Sequence, residues 1–442
     1  MAETYDLIVR GGIAATPNGI GPFDIAVRDG RIAAIGRVDG MAPEILDAGG
    51  LHVLPGVIDT QVHLREPGLE HKEDLATGTA AAALGGVTAV FEMPNTRPST
   101  LTAADLDDKL SRAKGRVWCD VAFFVGAAVD NIEQLAELER RPGCAGVKIF
   151  MGSSTGSLLV AEDKDILRVL RSGRRRVSVH SEDETRLRER FSLLRDGADP
   201  AMHPVWRDVE TATIATQRLM RLAREAGRRV HVLHVTTAEE MAILAANKDI
   251  ATVEVTPQHL TLVAPDCYAR LGNFAQMNPP IRDIRHRNGL WRGISDGIVD
   301  CIGSDHAPHT REEKGKPYPQ SPSGMPGVQT LLPLLLDHMN AGRLTIERLV
   351  DLTSAGPARI FGIAGKGRLG VGFDADLTLV DLQAKRTIRD SWIASRCGWT
   401  PFDGMSVTGW PIATIVRGRI AMRDDQLLGA PSGNIVRFTE AI

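Results

Sequence analysis

The sequence predicts an α/β protein with a parallel (β/α)8 barrel of the TIM type and a small β-sandwich domain assembled from both chain ends. Three observations predict it. The centre of the 442-residue chain alternates short apolar runs with longer helical patterns. Both ends carry β-type runs separated by tight turns. Polar side chains follow the central runs, as at the mouth of an enzyme barrel. The predicted units are the barrel, 53–368, and the two parts of the sandwich, 1–52 and 369–442.

Both ends of the chain have the sequence pattern of β-strands separated by turns. Apolar β-type runs cover 6–12, 24–32, 376–381 and 414–420. Asp29-Gly30 is a strong hairpin signal, and Arg417-Gly418-Arg419 interrupts the last run in a similar way. The shared pattern favours one sheet built from both ends, and two unrelated appendages are the alternative.

The central block supplies eight candidate strands and the helices between them. The strands are predicted at 53–59, 88–93, 120–124, 146–150, 177–180, 230–234, 252–256 and 302–305. Helical patterns lie at 74–84, 132–140, 163–171, 208–226 and 238–246. A doubly wound open sheet would give the same alternation, but no G-x-G-x-x-G follows a first strand. The barrel is therefore the preferred architecture.

Composition excludes several classes of protein. There are 52 basic and 55 acidic residues, a formal net charge of −3, which argues against a nucleic-acid partner. No apolar run approaches the length of a membrane span, and the first residues lack the pattern of a secretory signal. The five cysteines are scattered and form no C-x-x-C pair. We expect a cytoplasmic enzyme with no membrane partner.

Five residues at or near strand ends predict a metal centre: His63, Lys148, His180, His234 and Asp305. Imidazole and carboxylate groups suit zinc and similar divalent ions. A lysine inside an apolar strand is costly unless its ammonium is paired or neutralised. Lys148 is therefore either paired with Asp305 or Glu182, or converted by CO₂ into a carboxylate that bridges two cations.

Three motifs carry a resemblance to a known family. They are H-x-R-x-P-G at 63–68, Met93-Pro94-Asn95-Thr96, and the run from Ser304 to His309 with Asp305 and His309 four residues apart. With the metal-type residues, they resemble the cyclic-amidase branch of the amidohydrolase superfamily, and within it the dihydroorotases. The resemblance covers nearly the whole chain.

The resemblance implies reversible hydrolysis of L-dihydroorotate to N-carbamoyl-L-aspartate, a step of pyrimidine (UMP) biosynthesis. Arg65, Asn95 and His309 would hold the free carboxylate of this small substrate, and Asn278 would contact its ring. Asp305 would move the proton. One or two Zn²⁺ ions would be held by His63, His180, His234, Asp305 and an N6-carboxylated Lys148. A homodimer is the family-level expectation.

One position departs from the family pattern. The first residue of the usual His-x-His after the first strand is Gln61. An amide oxygen is a neutral, weaker ligand than imidazole. Three outcomes follow from this: Gln61 coordinates through its oxygen, the outer ion is held loosely, or only one ion binds tightly.

Two other functions remain open at this stage. One is another cyclic amidase, such as an allantoinase or a dihydropyrimidinase/hydantoinase, although an uncharged ring would have no use for Arg65. The other is a catalytically silent dihydroorotase-like subunit that serves in an assembly. Retention of Lys148, His180, His234 and Asp305 argues against the silent subunit.

Overall fold

The structure is a computed structural model that describes residues 3–154, 156 and 158–441. Its strands are β1 (Leu7–Thr16), β2 (Gly19–Arg28), β3 (Arg31–Gly36), β4 (Glu44–Asp47), β5 (His52–Pro55), β6 (Val57–Val62), β7 (Val87–Glu92), β8 (Asp120–Gly126), β9 (Cys144–Phe150), β10 (Val177–His180), β11 (Val230–Val232), β12 (Ala251–Val255), β13 (Cys301–Ile302), β14 (Leu377–Thr387), β15 (Ser406–Val416), β16 (Arg419–Arg423) and β17 (Gln426–Leu427).

The α-helices lie mainly between the central strands. They are α1 (Leu75–Leu84), α2 (Ala103–Ala113), α3 (Leu135–Leu138), α4 (Asp163–Arg171), α5 (Glu184–Phe191), α6 (His203–Trp206), α7 (Val209–Ala226), α8 (Ala238–Ala245), α9 (Pro257–Thr261), α10 (Asp266–Leu271), α11 (Ile284–Ser295), α12 (Arg311–Lys314), α13 (Leu331–Asn340), α14 (Ile346–Val350) and α15 (Gly356–Phe361).

Strands β6 to β13 form the predicted parallel barrel. They pair in chain order, each with the next, in one eight-stranded sheet. The ring is brought together between its first and last strands by a parallel bridge from Val62 to His306, where the amide of His63 donates to the carbonyl of His306 at 2.7 Å. The barrel fold class is therefore confirmed.

The barrel elements follow from ordinary sequence signals. All seven residues of β8 are buried, as expected for a strand covered on both faces. Helix α7 begins after Asp208, whose carboxylate accepts from the amide of Thr211, and ends at Gly227 with a φ of 63°. The segment predicted as a helix at 132–140 is shorter, with a 3₁₀ turn at Val129–Gln134 followed by α3.

The chain ends form a separate nine-stranded sheet, as predicted. Its order is β17-β16-β15-β14-β5-β1-β2-β3, with β4 paired to β1, so strands from both termini share one sheet. The run predicted at 24–32 is two strands, because Asp29 and Gly30 form a turn with φ values of 53° and 71°. Arg417 and Gly418 form the matching turn between β15 and β16, with φ values of 46° and 76°.

The strand predicted at 53–59 is also two strands. It divides at Gly56, where an added Cβ would lie 2.2 Å from Thr88 Oγ1, so only glycine permits this close approach. The first half, β5, pairs with β1 and β14 in the terminal sheet, and the second half, β6, begins the barrel. Because the sequence is apolar on both sides of Gly56, it does not indicate that the chain passes from one sheet to the other there.

Two barrel strands end earlier than predicted. The runs 230–234 and 302–305 stop being strand at Val232 and Ile302. Beyond them, His234 and Asp305 have φ values of 37° and 44°, a left-handed conformation that a strand does not allow. The chemically important residues thus lie just past the strands on bent backbone.

The C-terminal tail returns to the barrel. Ile435 bridges to Val121 of β8, and Phe438 bridges to Ile363. Phe438 packs edge-to-face on Phe91 at a ring-centroid distance of 5.6 Å. The division into units 1–52, 53–368 and 369–442 stays a proposal. Strand β5 spans the first boundary, and this tail, although part of the last unit, pairs with residues of the barrel unit. Among the described residues, no helix is long and apolar enough to span a membrane.

Candidate metal and substrate site

Four candidate metal ligands meet at the carboxyl end of the barrel. His63 follows β6, His180 is the last residue of β10, and His234 and Asp305 follow β11 and β13. Each is at least nine-tenths buried. Because the carboxyl ends of parallel barrel strands converge on one mouth, residues 242 positions apart in sequence come into contact.

His180 and His234 present nitrogen atoms to each other. His180 Nδ1 lies 3.1 Å from His234 Nε2, and the two rings are nearly perpendicular. Burial lowers the pKa of both imidazoles, so both are neutral at physiological pH and have lone pairs to offer. Two neutral imidazoles at this separation suit two ligands of one cation.

The second half of the centre contains His63, Asp305 and Gln61. Asp305 Oδ1 lies 3.2 Å from His63 Nε2 and accepts from Gln61 Nε2 at 3.0 Å. Gln61 Oε1 is buried and, within the described part of the chain, has no hydrogen-bond partner. Burial raises the pKa of Asp305 to about 7. Gln61 therefore has an oxygen atom free for a cation.

Lys148 is a buried amine in β9. Its Nζ has no hydrogen-bond partner in residues 3–154, 156 and 158–441 and lies 4.6 Å from the centroid of the Phe150 ring. The pairing with Asp305 or Glu182 that the sequence left open is absent from the ion pairs of this region. Burial lowers the pKa of the amine to about 7. These surroundings fit an amine that is modified or bound to an ion.

The backbone at the site is strained in the left-handed region. Arg65, His234 and Asp305 have φ values of 65°, 37° and 44°. Such conformations cost about 1–3 kcal/mol each and persist where the surrounding structure enforces them. Here they aim three functional side chains from loops that follow barrel strands.

Arg65 is a buried cation that forms no ion pair with a carboxylate in the part of the chain that the structure describes. Its side chain is 1% exposed, its Nε donates to the carbonyl of Pro308 at 3.1 Å, and one terminal nitrogen lies 3.3 Å from His309 Nε2. No carboxylate among the described residues forms an ion pair with it. Since a buried guanidinium is costly unless neutralised, this pocket favours an anionic ligand.

His309 lies behind Arg65. Its Nε2 is 3.0 Å from the carbonyl of Ser323, and its Nδ1 is 3.2 Å from Lys72 Nζ. It contacts Arg65 but does not line the pocket, whereas Arg65 does. The sequence resemblance grouped the two as direct carboxylate ligands, and their arrangement suits a role for His309 in holding Arg65.

Asn95 and Asn278 line the same pocket as the metal-type residues. Asn95 Oδ1 lies 2.8 Å from His63 Nδ1, which fixes the ring of that histidine. Asn278 Oδ1 lies 3.0 Å from His203 Nε2, and its amide donates to Ser154 Oγ at 3.4 Å. The structure therefore brings all the predicted site residues into one region, with Lys148 and His309 set back from the pocket wall.

The stretch 311–325 closes one side of the pocket. It begins with α12, and Gly324 near its end lines the pocket. The buried Lys314 Nζ donates to the carbonyls of Pro322 and Gly324 at 2.8 and 3.1 Å. The sequence did not indicate that Lys314 holds this stretch, because a lysine among polar residues gives no sign of burial.

A carboxylate and an arginine hold His180 from behind. Glu182 Oε2 lies 2.9 Å from His180 Nε2 and 2.5 Å from a terminal nitrogen of the buried Arg207. A hydrogen bond to the far nitrogen fixes the orientation of a ligating imidazole and raises its basicity. Arg207 had no sequence signal, because its partner is 25 residues away on another element.

We expect Glu182→Gln to weaken metal binding about 10- to 100-fold, because it removes the charged acceptor that orients His180. Competition with a chromogenic chelator measures this on folded protein, with folding checked by thermal unfolding. Glu189→Gln, an exposed change on helix α5, which begins just after Glu182, is the control and should bind metal like the unaltered chain. Equal affinity of the two variants would contradict the orienting role.

This arrangement defines a barrel metallohydrolase, and comparison with known proteins agrees. The model of the amidohydrolase family matches residues 52–421. The chain therefore belongs to the amidohydrolase family, and membership implies a metal cofactor.

Individual relatives place the chain among three kinds of enzyme. A dihydroorotase of Methanosarcina mazei is 35% identical over 429 residues, covering 94% of this chain and 93% of that protein. An allantoinase of Rubrobacter xylanophilus is 36% identical over 452 residues, covering 98% of both. The solved L-hydantoinase (dihydropyrimidinase) of Arthrobacter aurescens superposes with a TM-score of 0.91 at 31% identity, covering 98% of this chain and all of that one.

Proposed function

We propose that this chain is a metal-dependent cyclic amidase that acts as a dihydroorotase, reversibly hydrolysing L-dihydroorotate to N-carbamoyl-L-aspartate. The observation that carries the proposal is the buried guanidinium of Arg65, which forms no ion pair with a carboxylate of the described residues and lies in the same pocket as the metal-type residues. A ring bearing a free carboxylate supplies the missing negative charge. Dihydroorotases among the relatives support the same choice.

The residues present fit a divalent ion, with Zn²⁺ the preferred one. His180 and His234 would hold the inner ion, and His63, Asp305 and the oxygen of Gln61 would face the outer one. Lys148, once carboxylated by CO₂ with loss of a proton, would add a carboxylate to the residues that hold the metal. When bound, the metal supplies Lewis-acid activation of water and of the scissile carbonyl.

The chain's own groups would position the substrate and move the proton. Arg65 would anchor the carboxylate, with Asn95 donating its amide and His309 holding the guanidinium in place. The ring would then present its amide to Asp305. Asp305 would take the proton from the attacking water and deliver it to the amide nitrogen as the carbon–nitrogen bond breaks. Water thus adds as hydroxyl to carbon and hydrogen to nitrogen.

The choice among cyclic amidases is tested by one ultraviolet assay with dihydroorotate, allantoin and dihydrouracil. We expect turnover of dihydroorotate to exceed that of both uncharged rings. Preference for allantoin or dihydrouracil would favour the allantoinase or dihydropyrimidinase alternative, which related enzymes make reasonable. No turnover of any substrate with metal supplied would favour a silent subunit.

Gln61 sets the expected number of tightly bound ions. We propose that the outer ion binds loosely, because a neutral amide oxygen replaces the usual imidazole. Gln61→His should therefore tighten the second ion by at least about tenfold. Elemental analysis during stepwise chelation measures both equivalents. Gln61→Leu is the control, since it removes the amide oxygen and should loosen the ion further. Two equally tight equivalents in the unaltered chain, beyond any ion bound elsewhere in the barrel, would refute a loose site.

We also propose a cytoplasmic homodimer working in pyrimidine biosynthesis. All five cysteines are free and buried in the structure, which supports a reducing compartment. Light scattering of the purified chain gives the oligomeric state directly. A monomeric mass at working concentration would contradict the dimer without affecting the assignment of the site.

A further inference from the structure

A second group of metal-type side chains lies inside the barrel, separate from the residues at its mouth. His231 on β11, Glu254 on β12 and Cys301 on β13 occupy three adjacent strands. All three side chains are fully buried. The hydroxyl of Thr60, on β6, donates to Glu254 and lies 3.9 Å from Cys301 Sγ. The proposed mechanism uses none of these residues.

The three potential ligand atoms have the spacing of a tetrahedral zinc site. His231 Nε2 lies 3.4 Å from Glu254 Oε2, and Cys301 Sγ lies 3.7 Å from each of those two atoms. Zinc bonds of normal length to nitrogen, oxygen and sulfur give ligand-to-ligand separations of about 3.3–3.6 Å. A triangle with the observed sides has its centre about 2.1 Å from each corner, close to those bond lengths.

The charge of the cluster also favours a cation. Glu254 forms no ion pair with a lysine or arginine in the described residues, and its second oxygen, Oε1, is buried without a hydrogen-bond partner there. A buried carboxylate in this situation is costly. A divalent ion with one carboxylate, one thiolate and one neutral imidazole forms an uncharged unit, so the cost of burial is largely removed.

We propose that His231, Glu254 and Cys301 bind one divalent ion of the zinc class as a structural site, distinct from the ions at the barrel mouth. Binding replaces the thiol proton of Cys301, which leaves to solvent, with a sulfur–metal bond. The fourth position adjoins the hydroxyl of Thr60. Because the cluster is enclosed by the barrel, the ion should enter during folding and exchange slowly thereafter.

The first test uses the intact chain purified without chelator. X-ray absorption at the zinc edge should reveal a sulfur neighbour in addition to nitrogen and oxygen, and chain grown with cobalt should show a thiolate-to-cobalt charge-transfer band. Neither signal can come from the candidate ligands at the barrel mouth, because they include no cysteine. Gentle chelation should remove the mouth ions first and leave the sulfur signal.

Variants identify the sulfur. Cys301→Ser should lose the charge-transfer band and about one equivalent of metal, while Cys144→Ser, a matched change of another buried barrel cysteine, should keep both. If Cys301→Ser fails to fold, Glu254→Gln tests the same equivalent. Absence of sulfur scattering and of the cobalt band from folded chain grown with ample metal would overturn the proposal and leave a hydrogen-bonded network. A band retained in Cys301→Ser would overturn it equally.

Discussion

Asp305→Asn should reduce kcat for dihydroorotate by about 10³-fold or more, because the amide cannot carry a proton between water and the leaving nitrogen. Asp305 is buried at the centre of the site, 3.2 Å from His63 Nε2 and within hydrogen-bond distance of Gln61. Asparagine keeps the size of the side chain and one oxygen. Steady-state kinetics with saturating metal measures the loss.

The control for Asp305→Asn separates chemistry from folding. Asp300→Asn alters a carboxylate just before β13, the strand that precedes Asp305. Asp300 pairs with Lys248, and neither residue lines the pocket. It should cost some stability but leave kcat close to that of the unaltered chain. Thermal unfolding and elemental analysis should show that Asp305→Asn is folded and retains most of its metal. Near-normal turnover by this variant would refute the proton-carrying role.

Arg65→Met should lower kcat/KM for dihydroorotate by about 10²- to 10³-fold, equivalent to about 3–4 kcal/mol, because a buried charge-assisted pair is lost. The same change should affect dihydrouracil far less, since that ring has no carboxylate to bind. The left-handed backbone at this position is strained equally by arginine and methionine, so the comparison reports the side chain. Kinetics with both substrates give the ratio.

Arg65→Lys provides the matched comparison. Lysine keeps the positive charge but lacks the planar fork that engages both carboxylate oxygens. It should recover part of the binding lost in Arg65→Met, mainly through KM. Equal losses for dihydroorotate and dihydrouracil in Arg65→Met would show that Arg65 is not the anion anchor and would weaken the choice of dihydroorotase.

Much of the fold could be predicted from the sequence because its signals are local. Helix α4 has the predicted bounds, and α7 differs only by its capping residue. The turn at Asp29 and Gly30 was visible for the same reason, since its residue types fix its backbone. The division at Gly56 was not visible, because both halves are apolar and only their partners in two different sheets separate them.

The candidate site could be predicted from the sequence only in part. His63, His180, His234 and Asp305 stand out because strand ends converge in a barrel. The support for them does not stand out: Arg207 behind Glu182, and Lys314 beneath the loop that ends near Gly324, contact their targets through the fold alone. A side chain whose role is to hold another residue in place is not marked by a sequence motif.

The sequence by itself determined the barrel, the sheet of both ends and the residue types of the metal centre, because periodicity and turn chemistry are properties of short segments. Only the tertiary structure decided that Lys148 Nζ has no hydrogen-bond partner and Arg65 no ion pair with a carboxylate among the described residues, and that His309 lies behind Arg65. It also decided that His231, Glu254 and Cys301 share one point inside the barrel. Burial and charge pairing depend on strands distant in sequence, so they emerge only once the barrel has closed.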